Sequence, residues 1–187
     1  MEADRAIVLG IDPGSHITGF GVITQVGSRL IHLTSGVLKA PSKGPFERRL
    51  LAIHDQLSKV IRETSPTAVA VEAVFFAKNV RSVVSLAHAR GVALLVAAQH
   101  GIPVYEYSPM EVKRAVVGYG RASKEQTAEM IGRLFRIPRE ENETIHDRTD
   151  ALAVALCHLN SARTHERIHR SEVRTAALRG RIGREVE

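Results

Sequence analysis

The sequence predicts a mixed α/β sheet with helices on both faces, and three observations predict it. The first three apolar segments have strand length and follow one another with only turns between them. After them, helical and strand patterns alternate. Of the 187 residues, 44% are apolar and 25% charged, which suffices for one packed core.

Ala6 to Asp12 is a short apolar run of the buried-strand kind, broken by Pro13-Gly14-Ser15. Ile17 to Val26 and Arg29 to Leu38 read as strands, with a hairpin turn at Val26-Gly27-Ser28. Phe46, Leu50, Ile53, Leu57 and Val60 recur at helical spacing and form one apolar stripe. Thr67 to Glu72 is a further buried strand. Ser82 to Gln99 is a long helix that ends near His100-Gly101, and Pro103 to Tyr107 is a short strand.

Ser108-Pro109-Met110-Glu111 starts a helix, with Ser as N-cap, Pro in the first turn and Glu at the third position. Ser123-Lys124-Glu125-Gln126 is a second capping box, and its helix places Thr127, Met130, Ile131 and Leu134 on one face. Gly118 to Ala122 joins the two helices as a mobile connection. Pro138 to Asn142 is a polar break, and a last helix runs from about His146 to Ser161. From Arg163 the apolar periodicity fades and seven arginines follow by Arg184. The expected organisation is a domain over 1–162 and a basic, flexible tail over 163–187.

Lys and Arg outnumber Asp and Glu by 26 to 20, which favours a polyanionic partner such as nucleic acid. Cys157 is the sole cysteine, so an internal disulfide and a Cys/His metal cluster are excluded. No apolar run approaches the length needed to span a bilayer, and Met1 to Arg5 lacks the pattern of a signal peptide. The expectation is a cytoplasmic protein with no membrane association.

Four acids carry the chemistry. Asp12 and Glu72 each end an apolar strand, and in an open α/β sheet adjacent parallel strands place such ends on one edge. Asp147 and Asp150 are three apart and share a helix face. If that helix start reaches the same edge, the four carboxylates converge. Clustered carboxylates repel one another, and hard cations such as Mg²⁺ or Mn²⁺ relieve the repulsion. Two such ions about 4 Å apart suit in-line displacement at phosphorus.

The segments LGIDPGSHITGFGVI, VEAVFFAKN, ARGVA, VKRAVVGYG, SKEQ and HDRTDALAVAL resemble, in order and spacing, those of the RuvC Holliday-junction resolvases. The resemblance covers roughly Ile7 to Asn160. It implies a ribonuclease H-like fold, with three antiparallel strands and then parallel ones in a five-stranded sheet. It implies an endonuclease that cuts four-way DNA junctions by paired nicks, leaving 5′-phosphate and 3′-hydroxyl ends. Asp12, Glu72, Asp147 and Asp150 become the ligands of two Mg²⁺ ions, with Mn²⁺ as a substitute. Some members carry His where Asp147 stands, and His146 next to it is an auxiliary acid–base candidate.

Phe75 and Phe76 precede a basic stretch, Lys78-Asn79-Val80-Arg81, and aromatics beside a basic groove suit distorted DNA. The resemblance makes Phe75 a wedge at the junction crossover and makes Lys113 and Lys124 phosphate contacts. Arg114 and Arg121 are further backbone-contact candidates. Ser82 to Gln99 is apolar nearly all round in its second half, where Ala89 and Gly91 would admit a close neighbour. A two-fold homodimer fits this helix and a symmetric substrate. RuvA and RuvB are implied partners. The alternatives are a resolvase-like RNA-processing nuclease and a non-catalytic junction-binding protein.

Overall fold

The computed structural model describes residues 6–73, 80–137 and 146–161. The order is β1 (Ile7–Asp12), β2 (Ile17–Val26), β3 (Arg29–Lys39), α1 (Phe46–Thr64), β4 (Ala68–Glu72), α2 (Val80–Gln99), β5 (Val104–Tyr107), α3 (Pro109–Val117) and α4 (Lys124–Phe135). A further helix, α5, spans residues 146–161. The strands form one five-stranded sheet in the order β3-β2-β1-β4-β5. The β1–β2 and β2–β3 pairs are antiparallel, and the β1–β4 and β4–β5 pairs are parallel. This is the expected mixed sheet.

Strand alternation sorts the core into two layers. Leu9, Ile11, Val69 and Val71 face Leu57, Val60, Ala93 and Val96 of α1 and α2. Val8 and Ala70 face Val112, Val116, Ile131 and the apolar run of α5. Residues 151–159 are buried on every side, because α5 lies between the sheet and the α3–α4 pair. Burying a leucine such as Leu152 is worth about 1.5–3 kcal/mol, so this helix is firmly seated.

The helix starts follow the sequence. Ser108 and Ser123 each complete a reciprocal capping box, with Glu111 and Gln126 respectively. Three expectations need correction. The connection from Gly118 to Ala122 is tethered rather than loose: Ala122 is buried and the Tyr119 hydroxyl donates to Gln126 Oε1 at 3.1 Å. On α4 the buried side chains are Thr127, Ile131 and Phe135, while Leu134 is exposed. A spacing of four places Phe135, not Leu134, over the core. On α2, Ala89 faces the sheet and is buried, whereas Gly91 lies on the outer face. That outer face exposes Val84 and Leu95, which with Leu50 and Val92 line an apolar groove against α1.

Candidate active site

Parallel pairing of β1 with β4 sets Ile11 opposite Val71. Asp12 and Glu72 are the next residues on each strand, so they leave the sheet side by side on one edge. Both alternate onto the face that carries α5, the face of Val8 and Ala70.

Two glycines bring α5 down onto that face. A Cβ on Gly10 would stand 2.0 Å from the Ala151 carbonyl oxygen and 2.8 Å from the Ala155 nitrogen. A Cβ on Gly19 would stand 1.9 Å from the Asp147 carbonyl oxygen. Gly19 is also the β2 partner of Asp12. Only glycine admits the helix backbone this closely, and that approach carries Asp147 and Asp150 to Asp12. Sequence reasoning missed this device. Its signal was present in the alternate glycines of LGID and TGFG.

The electrostatics register the result. Asp12 is pushed up to about 8, by burial first and then by the carboxylates of Asp150, Glu72 and Asp147. Glu72 is raised by burial and by Asp150, against the pull of Lys124 and Lys113. The Lys124 ammonium lies 2.7 Å from Asp150 Oδ2. Burial pulls Lys124 down, but the Asp150 hydrogen bond and the charges of Asp150, Asp12 and Asp147 outweigh it and leave Lys124 raised. Glu72, Asp150, Lys113 and Lys124 line one cleft of about 230 Å³, walled by Pro109, Val112 and Val154.

The cleft thus joins two carboxylates to two ammonium groups. Among the described residues, no three His, Cys, Asp or Glu groups are drawn closely enough together to hold an ion as they stand. Mutual repulsion and the hold of Lys124 on Asp150 oppose such closure. The donor set nevertheless fits a hard divalent cation: all four groups offer carboxylate oxygen, and an ion would replace the proton that burial and repulsion place on Asp12.

Of the other predicted residues, His146 begins α5 half-buried, and its Nδ1 is shielded with no hydrogen-bond partner among the described residues. Its backbone carbonyl accepts from the Thr149 hydroxyl at 3.0 Å. Arg114 and Arg121 are exposed and do not line the cleft. Phe75, Phe76, Lys78 and Asn79, the Arg81 side chain, and the tail from 163 lie outside the described residues. Among the described residues no helix is long and apolar enough to cross a membrane.

Comparison with known proteins places this geometry. A family model described as crossover junction endodeoxyribonuclease RuvC matches residues 8–158. The crossover junction endodeoxyribonuclease RuvC of Syntrophotalea carbinolica is 49% identical over 151 residues, 81% of this chain and 92% of that protein. The protein of the same description from Geobacter sulfurreducens is 49% identical over 155 residues, 83% of this chain and 93% of its own length. Among solved structures, T. thermophilus RuvC in complex with Holliday junction substrate superposes with a TM-score of 0.78 at 35% identity, covering 86% of this chain and 96% of that one. Nucleases of this kind are generally dependent on a divalent metal. The chain belongs to the RuvC family of crossover junction endodeoxyribonucleases.

Proposed function

We propose that this chain resolves Holliday junctions in the cytoplasm, in recombination and repair, by paired symmetric nicks. The supporting observation is the approach of α5 to the strand ends of Asp12 and Glu72, beside a cleft lined by Glu72, Asp150, Lys113 and Lys124. Asp12, Glu72, Asp147 and Asp150 would hold two Mg²⁺ ions, or Mn²⁺ in their place. Bound there, the ions supply Lewis acidity toward the attacking water and the leaving 3′ oxygen.

The chain's own residues do the rest. Lys113 on α3 presents an ammonium to the scissile phosphate and offsets its developing charge. Lys124 neutralises Asp150 in the free protein and turns to phosphate once Asp150 has another counter-charge. Pro109, Val112 and Val154 keep the cleft walls apolar, which strengthens each charge interaction inside. His146, beside Asp147 at the start of α5, is the auxiliary acid–base candidate.

The junction's two-fold symmetry calls for two such clefts. The groove of Leu50, Val84, Val92 and Leu95 supports a homodimer through α1 and α2. Phe75 and Phe76 would wedge the crossover, with Lys78, Asn79 and Arg81 on its backbone. RuvA and RuvB would be its branch-migration partners.

The test is cleavage of a synthetic four-way junction with Mg²⁺, beside linear duplex and single strand of the same sequence. Paired nicks that a ligase seals are expected, on the junction alone. Asp12→Asn, Glu72→Gln and Asp150→Asn should lose cutting and keep junction binding. An Asp12→Asn protein that cuts at the wild-type rate would overturn the assignment of the site.

A further inference from the structure

The turn that joins β1 to β2 lies at the same sheet edge as Asp12. His16 is its last residue and is exposed. Its carbonyl accepts from the Ala40 amide at 3.0 Å, which ties the turn to the end of β3. Its ring lies against α1: Arg49 Nη1 is 2.9 Å from Nε2 and 3.3 Å from Nδ1.

Among the described residues, no carboxylate pairs with Arg49. Its guanidinium carbon sits 5.0 Å from the centre of the Phe46 ring, and Phe46 in turn packs its edge on His88. Its Nε is shielded and has no hydrogen-bond partner among the described residues. Two other guanidinium groups pair with carboxylates, Arg90 with Glu106 and Arg133 with Glu129. Among the described residues Arg49 has only a histidine ring. Arginine has five donors and no acceptor, so the His16 ring nitrogen accepts one Nη1–H and leaves further guanidinium donors for a ligand. Lys39, at the end of β3, and Arg48, beside Arg49, are exposed nearby and add to the positive field.

We propose that His16 and Arg49 form a phosphate clamp for the DNA backbone on the α1 side of the catalytic edge, distinct from the scissile phosphate. The inference rests on the nuclease reading above. Lys113 and Lys124 guard the cleft on the α3–α4 face, while His16 and Arg49 lie across the sheet on the α1 face. A strand that enters the cleft and crosses the edge meets charge on both sides. A planar guanidinium held by an aromatic ring suits bidentate contact with phosphate oxygens.

The experiment compares His16→Ala, Arg49→Gln and Arg49→Lys with wild type, and uses Arg133→Gln as a control for loss of charge alone. Binding to a fluorescent four-way junction is measured in EDTA over a range of salt, with thermal melting and sedimentation of each protein. His16→Ala and Arg49→Gln should each weaken binding roughly tenfold at low salt and flatten the salt slope by about one contact. Arg49→Lys should keep the slope, and Arg133→Gln should match wild type. An unchanged slope, with either unchanged affinity or a lowered melting temperature, would make the pair a structural strap and overturn the proposal. So would binding lost only because the oligomeric state changes. The same slope read on linear duplex tests the clamp separately. If wild type fails to prefer junctions, the functional reading fails while the clamp is still judged.

Discussion

Gly10→Ala tests the glycine contact that assembles the site. The new methyl would stand 2.0 Å from the Ala151 carbonyl oxygen and 2.9 Å from Ala155 Cβ. The first atom is backbone and cannot rotate away, so α5 must lift by more than about 1 Å to bring the 2.0 Å approach out to ordinary contact. Overpacking of this kind costs about 1–3 kcal/mol. For a domain of this size that lowers the melting temperature by roughly 2–4 °C per kcal/mol. The larger effect is on chemistry, because Asp147 and Asp150 ride on the lifted helix. A misplacement near 1 Å costs about 100-fold in rate. Single-turnover cleavage should fall on that scale while junction binding, carried by cationic groups, stays close to wild type. Gly132→Ala is the control: its methyl would meet only the Ile137 carbonyl oxygen at 3.6 Å, so α4 should gain about 0.5–1 kcal/mol. A Gly10→Ala protein that melts and cuts like wild type would refute the reasoning.

Three further outcomes are expected. Asp12 is an acid whose folded value, about 8, exceeds its unfolded one, so the folded metal-free protein binds the extra proton and its stability falls as pH rises from about 4 to 8. Melting in EDTA should therefore be lower at pH 8.5 than at pH 6. Asp12→Asn should flatten that trend, and Mg²⁺ should narrow it in wild type; a flat wild-type profile would count against the buried acid. Leu95→Asp places a charge on the exposed face of α2 and should give a monomer by sedimentation, whereas a wild-type monomer at micromolar concentration, on and off the junction, would exclude the dimer. Asp147→Asn should cost at least about 100-fold in single-turnover rate, as expected for a metal ligand or its support. His146→Ala should cost less than about tenfold, below the range of an essential acid–base group; the reverse order across pH 6 to 9 would exchange their roles.

Much of this was legible in the chain because local chemistry wrote it there. The capping boxes at Ser108 and Ser123 form as their residue spacing requires. Asp12 and Glu72 could be placed on one edge because buried parallel strands read as uninterrupted apolar runs. Asp147 and Asp150 share a face by helical period alone. What could not be read depends on which elements touch. The run ALAVALCHL and the second half of α2 look equally apolar, yet residues 151–159 are buried all round and α2 keeps Val84 and Leu95 in solvent. Periodicity cannot say which of two apolar helices is the inner one. The contact between His16 and Arg49 spans 33 positions and has no local signature.

The site is held together by forces that oppose one another. Apolar burial of α5, admitted by Gly10 and Gly19, presses Asp147 and Asp150 toward Asp12. Burial and the neighbouring carboxylates oppose that approach and raise the proton affinity of Asp12 and Glu72. Asp12 takes up a proton, and Asp150 takes the Lys124 ammonium. A divalent cation would take the place of that proton and that ammonium, and the carboxylates would have to close further around it. A tighter ring of free acids would bind an ion more strongly but would strain the metal-free fold. A looser one would leave the ion without enough oxygens. The burial of α5 against the sheet therefore sets both the stability of the fold and the spacing of its acids. This is why a single methyl at Gly10, which touches no catalytic atom, is expected to act on catalysis.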